Sequence, residues 1–337
     1  MAPFRLHFLP FLAYEAVIES MMLAEIFELS QSSRNTFNKI KQVRRSILPI
    51  KIVNDSIQNV EISETVDEKC GLVFSFDSST SSMTSFRKLN GISLPVRKDP
   101  DSRCTFLCPE SKFNEALVPL LEYLLELFHN KHIALWVEPK KIEKMQELME
   151  HSIFTNCVSF QLKEDSEKTS IESSDLKMLL DRKSWIDGVM VNGPMNNNCN
   201  MEFLFEIPRV YIGEAKWVQL ENLKNSQNTL IILRNSSLTE DDINQLIQHW
   251  LSKNIPKLRR LRLFRWKRRP VTEEVLAGIL YEEWDEEKHP RIHRVKCTYC
   301  TKRLNCTDGF YIERDDGAMC AVLVKNNELN FVVWHKD

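Results

Sequence analysis

The stretch Phe4–Arg45 reads FRLHFLPFLAYEAVIESMMLAEIFELSQSSRNTFNKIKQVRR and decides how the start of the chain folds. Tyr14, Val17, Ile18 and Met21 follow the i, i+3, i+4, i+7 spacing of one helical face. Two more short amphipathic helices are predicted before Arg45. Three such helices carry more apolar surface than they can bury among themselves, and apolar surface left over in this way usually marks a docking site.

Composition sets broad limits on the rest of the chain. Its 337 residues allow two or three domains, and a hydrophobic share of 43% is enough for a sizeable core. Lysine and arginine together number 45, against 47 aspartate and glutamate residues. Because these charges nearly cancel, we expect no global attraction to nucleic acid or to an anionic membrane.

Cysteine usage and the N-terminus indicate where the protein works. The nine cysteines are scattered and odd in number, which fits a reducing compartment better than a disulfide framework. Glu15 and Glu19 interrupt the apolar N-terminus, so it lacks the form of a secretory signal. No apolar run approaches the roughly 18 residues of a membrane span. We therefore expect a cytoplasmic or nuclear protein, or one found in both places.

Residues 47–130 are predicted to form a β-rich segment followed by a helix. A Ser/Thr-rich loop, Asp77–Ser85, interrupts the strand pattern. The helix contains Pro119, so it is expected either to start there or to kink. The predicted strands are Ile57–Ile62, Leu72–Phe76, Gly91–Val96 and Cys104–Leu107.

From residue 131 strands and helices alternate, at a spacing of roughly 20 to 30 residues that resembles leucine-rich-repeat stacking. We interpret this as an irregular, LRR-like α/β array, with an ordinary α/β sandwich as the alternative. Thr239 with Asp242 predicts a capped helix ending near Trp250. The strand-rich end of the chain is predicted to close the fold as an antiparallel β meander. The fold class is thus α/β, or α+β overall.

The first helices resemble an F-box, in the form found in large nematode F-box families. Leu23 stands where that family has a proline, and Gln31-Ser32 replaces an apolar residue and a cysteine. The matching positions are Leu9-Pro10, Val17-Ile18, Met21/Met22, Ile26-Phe27, Leu29-Ser30 and Ser33-Arg34.

Residues from about 185 to 334 resemble the type 2 F-box-associated region of the same nematode proteins. Trp217, Leu220 and Leu223 match its W-x-x-L-x-x-L stretch. Leu238-Thr239 through Trp250 match its turn and following helix, and Gly309–Gly317 matches its terminal hairpin. Two resemblances in the expected order support each other.

Candidate chemistry elsewhere is sparse. One pair, Cys297-x-x-Cys300, has zinc-ligand spacing, and Cys306, Cys320 and His293 lie nearby in sequence. The strand pattern, however, explains Cys320 as a core residue. No GxSxG, Walker or HExxH motif occurs, and we expect no catalysis, metal or other cofactor.

A basic strand, Lys257–Arg269, carries eight basic residues in thirteen. Leu258, Leu261 and Leu263 are predicted to face the core, which leaves arginines for the opposite face. That face is either simply solvated or docks an acidic partner. The target-binding candidates are Arg259, Arg260 and Arg262.

The resemblances imply a substrate-recognition subunit of a Skp–cullin–F-box type ubiquitin ligase, without bond chemistry of its own. The predicted domains are residues 1–46 (F-box), 47–130 (β-rich segment plus helix) and 131–337 (LRR-like, F-box-associated). An adaptor of the Skp family, and through it a cullin, would bind the helices, and an unidentified target protein would bind the last domain. The alternatives are a pure interaction protein and a zinc-containing nucleic-acid-binding protein. The expected adaptor-facing residues are Leu9, Pro10, Val17, Ile18, Met21, Leu23 and Ile26.

Overall fold

The computed structural model of the chain is α/β, with helices packed against mixed β-sheet. It forms two compact units, residues 1–137 with 143–157, and residues 138–142 with 158–337. Within the described residues, no helix is both long and apolar enough to cross a membrane. The described residues are 8–55, 58–65, 71–77, 85–98, 103–107, 112–130, 132–162, 170–181, 186–193, 201–264, 270–296 and 301–334.

The first unit begins with the three predicted helices and continues into a sheet. The helices are α1 (Phe11–Ser20), α2 (Leu23–Ser30) and α3 (Arg34–Gln42). After them come β1 (Ile50–Asn54), β2 (Gln58–Ile62), β3 (Leu72–Asp77), β4 (Ser85–Leu89), β5 (Ile92–Lys98), β6 (Arg103–Leu107), α4 (Phe113–Leu127), β7 (Ile133–Val137), α5 (Ile142–Met149) and a 3-10 helix (Ser152–Asn156).

The sheet of the first unit has the order β7-β1-β2-β3-β6-β5-β4. Its β1–β7 and β3–β6 pairs are parallel and the others are antiparallel. Strands β1 and β4 were not predicted from the sequence. Helix α4 starts at Phe113 and runs through Pro119, so the proline does not mark its beginning. Most of the predicted loop Asp77–Ser85 lies outside the described residues.

The second unit alternates strands with short helices before ending in β structure. Its first elements are a 3-10 helix (Pro139–Lys141), β8 (Cys157–Leu162), α6 (Ser173–Asp181), β9 (Gly188–Val191), a 3-10 helix (Glu202–Glu206), β10 (Arg209–Ile212), α7 (Leu220–Lys224), β11 (Leu230–Arg234), α8 (Glu240–Leu251), β12 (Arg260–Phe264) and α9 (Thr272–Val275). Then follow β13 (Glu282–Glu283), β14 (Ile292–Lys296), β15 (Thr301–Asn305), β16 (Phe310–Glu313), β17 (Met319–Lys325) and β18 (Glu328–Trp334).

The sheet of the second unit has the order β13-β16-β17-β18-β12-β11-β10-β9-β8. Strands β8 to β12 are parallel and lie side by side in chain order. Crossovers between parallel strands are almost always right-handed, so we expect the connecting helices to lie on one face of the sheet. Strands β16, β17 and β18 form an antiparallel meander that joins β12, while β14 and β15 form a separate hairpin.

Helix α8 shows how the local sequence builds this unit. The Thr239 hydroxyl accepts a hydrogen bond from the Asp242 amide, and the Asp242 carboxylate accepts one from the Thr239 amide. The inward face includes Ile243, Ile247 and Trp250, all fully buried. The Trp250 ring meets Phe331 of β18 edge to face, with centroids 5.8 Å apart. The helix is therefore fixed on the sheet by both its cap and its apolar stripe.

Candidate docking surfaces

The structure divides the seven expected adaptor-facing residues into two groups. Ile18, Leu23 and Ile26 are buried in the core of the first unit. The other four retain exposed surface: Pro10 is exposed, and Leu9, Val17 and Met21 are half-buried.

Helix α2 packs against β3 and its preceding residue, and against α4. A methyl group added at Gly71 would lie only 3.1 Å from Leu23 Cδ1, so that side chain fills the space over this glycine. Phe27 of α2 meets Phe74 of β3 with ring centroids 4.8 Å apart, and Ser30 Oγ lies 2.6 Å from the Tyr123 hydroxyl. The three helices are therefore part of the core of this unit.

Arg45 fixes α1 in place after the chain leaves α3. Its Nη1 donates at 2.9 Å to the Ile18 carbonyl oxygen at the C-terminal end of α1, which also accepts a hydrogen bond from the Met21 amide at 3.2 Å. Its Nη2 donates to Glu64 Oε2 at 2.9 Å. One guanidinium thus connects the end of α1 to the segment that follows β2.

The outer surface of these helices carries large apolar side chains. Phe8 is 77% exposed, Leu12 76%, Met22 60% and Phe11 49%. We call Phe8, Pro10, Phe11, Leu12 and Met22 the N-terminal patch. Of this set, only Pro10 was among the residues that the sequence predicted to face the adaptor. Leu12 does not lie on the helical face that Tyr14 and Ile18 share. A large apolar residue outside that face was the sequence signal that could have indicated an exposed apolar surface.

The three candidate arginines of the basic strand have different environments. Arg259 is exposed. Arg260 is only 7% exposed, and its Nε and Nη2 both donate to Asn330 Oδ1, at 3.1 and 2.5 Å. Arg262 is half-buried and forms a bidentate pair with Glu328 at 2.9 and 2.8 Å. Of the three, Arg259 alone presents a fully exposed charge.

The pKa of Glu328 reflects this pairing. Burial alone would raise it, but hydrogen bonds from Arg262 and Asn330 favour the carboxylate, and the pKa lies below its ordinary value. The side chains that accept hydrogen bonds from Arg260 and Arg262, Asn330 and Glu328, both lie on β18.

The parallel strands bury one face and leave part of the other accessible. Leu258, Leu261 and Leu263 are buried, as predicted. On the opposite face, half-buried side chains form a row across neighbouring strands, because each is in register with the next. The row consists of Met190, Tyr211, Ile232 and Arg262, with Phe264 beside it.

Two of the four cysteines in the zinc hypothesis, Cys306 and Cys320, are among the described residues. Cys297 and Cys300 lie outside the described residues. Cys306 and Cys320 are buried free thiols, and burial raises the pKa of both, that of Cys306 to about 11. His293 Nε2 lies 3.2 Å from the Val333 carbonyl oxygen. Among the described residues, no group of three or more His, Cys, Asp or Glu side chains is placed to hold a metal ion.

Comparison with known proteins gives two matches. Residues 199–263 match the family described as F-box associated. This match covers β10, α7, β11, α8 and most of β12. The chain is also 23% identical over 133 residues to an uncharacterized protein of Caenorhabditis elegans, which covers 38% of this chain and 31% of that protein. The chain thus spans about a third of that relative's length. No solved structure matches.

The family match indicates a non-catalytic module that binds other proteins, and no enzyme family is indicated. It falls on the parallel strands and helices of the second unit. It does not extend to residues 1–46, whose assignment as an F-box stays a prediction.

Proposed function

We propose that this protein is a substrate-recognition subunit of a Skp–cullin–F-box type ubiquitin ligase in the cytoplasm or nucleus. Its N-terminal helices bind a Skp-family adaptor, and its second unit binds a target protein. The contribution to ubiquitin transfer is proximity, because holding the target near the charged enzyme raises the effective concentration of its lysines.

The observation that carries this proposal is the N-terminal patch. Exposed side chains are concentrated at Phe8, Phe11 and Leu12, where α1 begins. Large exposed apolar side chains grouped in this way are characteristic of protein interfaces. In the same chain, residues 199–263 match the F-box associated family, a module expected beside an F-box.

The adaptor interface proposed here differs in part from the one expected from the sequence. Leu9, Pro10, Val17 and Met21 remain candidates because each keeps exposed surface. Ile18, Leu23 and Ile26 would serve binding indirectly, by holding the helices in place. The N-terminal patch adds Phe8, Phe11, Leu12 and Met22 to these candidates. A partner that covers these four side chains would bury the largest apolar area on these helices.

An LRR-like arrangement is proposed for the second unit. Five parallel strands follow one another in the sheet with helices between them, as in a leucine-rich array. The row from Met190 to Arg262 would then contribute to target binding, together with the exposed Arg259. Parallel sheets are usually covered on both faces, so an accessible row of large side chains favours a binding role.

The test is binding of a purified Skp-family adaptor to the full-length chain. We expect Phe11→Ser/Leu12→Ser to weaken binding at least about tenfold, since it removes two apolar anchors. The matched control is Leu280→Ser, an exposed leucine in the second unit. Equal adaptor binding by the wild type, the double variant and the control would refute the proposal.

A second candidate is an interaction protein that works outside a ligase. The observation in its favour is that α2 and α3 already pack against their own unit, through Phe27 on Phe74 and Phe37 on Tyr123. In that case the helices only complete the fold. No adaptor binding by a well-folded wild-type chain would favour this candidate.

A further inference from the structure

We propose that the segment Leu280–Glu287 of the second unit is a docking surface for a basic, extended peptide segment that carries apolar side chains. The surface shares no residue with the N-terminal patch or with the basic strand. The inference does not depend on adaptor binding.

The apolar part of this surface is unusually accessible. Leu280 is 93% exposed, the highest value among the large hydrophobic side chains of the described residues, and Tyr281 beside it is 47% exposed. These two residues lead directly into β13, the last strand in the order of its sheet. Among the described strands, β13 pairs only with β16, so within this part of the chain its outer edge has no strand partner and offers backbone groups to an extended chain.

The segment is held in position by its own contacts. The Tyr281 ring packs edge to face on Phe310, with centroids 5.3 Å apart. Further along, His289 stacks on Tyr311 at 4.1 Å, and its Nδ1 accepts a hydrogen bond from the Asp285 amide at 2.9 Å. A partner would therefore meet Leu280 on a fixed frame, which lowers the entropy lost on binding.

The charge around Leu280 selects the partner. Residues 271–291 contain seven acidic side chains against Lys288 and Arg291, a local net charge of −5 in a chain of net charge −2. Lys288 Nζ lies 3.2 Å from Glu282 Oε2 and 4.0 Å from Asp285 Oδ2. Glu283, Glu286 and Glu287 are exposed and form no ion pair with a described residue. Lysine or arginine side chains of a partner would neutralise these carboxylates.

The probe is a fluorescent heptapeptide of alternating lysine and valine, titrated into the full-length protein, with a glutamate–valine heptapeptide as the charge-reversed control. We expect the lysine peptide to bind and the glutamate peptide not to bind. Leu280→Ser should weaken the binding about tenfold, because the partner loses its main apolar contact. The triple variant Glu283→Gln/Glu286→Gln/Glu287→Gln should weaken binding of the lysine peptide by a similar factor at low salt. Raising the salt concentration to about 0.3 M should weaken binding to the wild-type protein in the same way.

Two control variants make the result specific. Glu206→Gln/Glu221→Gln removes charge from two other exposed positions and should leave binding unchanged. Leu12→Ser changes an exposed leucine in the first unit, so it should weaken adaptor binding and leave peptide binding intact. The inference is wrong if neither peptide binds, if the glutamate peptide binds as well as the lysine peptide, or if Leu280→Ser and the triple variant bind normally. Self-association of the protein that Leu280→Ser abolishes would also overturn it, since the occupant would then be a second copy.

Discussion

Replacing Arg260 by glutamate should destabilise the fold, although this residue was chosen from the sequence as part of a binding surface. Its guanidinium is almost fully buried and both donating nitrogens face Asn330 Oδ1. A carboxylate at this position would face the same oxygen. The Asn330 amide group cannot turn without loss, because its Nδ2 donates to Glu328 Oε1 at 2.7 Å.

The magnitude follows from burial and from the neighbouring charges. Leaving a charge buried without a partner costs about 3–5 kcal/mol, and we expect Arg260→Glu to fall in this range. Arg262→Glu breaks a partly exposed pair with Glu328 and should cost about 1 kcal/mol. Arg259→Glu alters an exposed side chain and should stay within about 0.5 kcal/mol.

Urea unfolding of the three variants at neutral pH, followed by tryptophan fluorescence, measures this series. Arg260→Met serves as the matched control, since it removes the charge without burying a new one and should be less destabilising than Arg260→Glu. The reasoning fails if Arg260→Glu unfolds at the same urea concentration as Arg259→Glu. If Arg260→Glu captures less target protein, unfolding can explain the loss, so the result does not identify Arg260 as a binding residue. The same loss in Arg259→Glu would identify Arg259 as a binding residue.

Three further predictions concern the second unit. Leu261→Ala should lower the free energy of unfolding by about 2–5 kcal/mol, because it leaves a cavity where a fully buried side chain was. Leu280→Ala changes an exposed side chain and should have little effect in the same urea-unfolding measurement. Thr239→Ala removes the cap of α8 and should cost about 1 kcal/mol by the same measurement; an unchanged value would contradict the capping role. The pKa of His293 in the folded protein is lowered, chiefly by burial. The contribution of this side chain to stability is therefore present above the unfolded pKa of about 6.5, and it is lost as the pH falls toward the folded pKa. Between about pH 7.5 and 5.5, stability should therefore fall more in the wild type than in His293→Gln, and equal slopes would refute this.

Where the sequence carried strong local signals, the elements were predicted well. The bounds of β3 and β6, Leu72–Asp77 and Arg103–Leu107, each differ by one residue from the predicted Leu72–Phe76 and Cys104–Leu107. Helix α8 was predicted from its cap and its apolar stripe. These features depend on residues a few positions apart, so their physics is contained in a short window of sequence.

Contacts between distant segments could not be predicted in this way. The partner of Arg260 is Asn330, which belongs to the strand that closes the meander. Likewise, the sequence could not separate Ile18 from Val17, because both lie on one helical face. The structure buries Ile18 and leaves Val17 half-buried, a difference that the periodicity of α1 alone does not contain.

The distribution of charge in the second unit suggests which partners would be attracted to it. A formal net charge of −2 conceals a basic strand and an acidic segment of opposite sign. The guanidinium groups of Arg260 and Arg262 are already engaged by Asn330 and Glu328, so they attract a partner only weakly. The carboxylates of Glu283, Glu286 and Glu287 have no ion pair with a described residue, and they follow the exposed Leu280 within seven residues of the chain. Association is steered by the local distribution of charge as well as by the net charge. The described part of this unit should therefore attract basic segments faster than acidic ones, and added salt should slow that association.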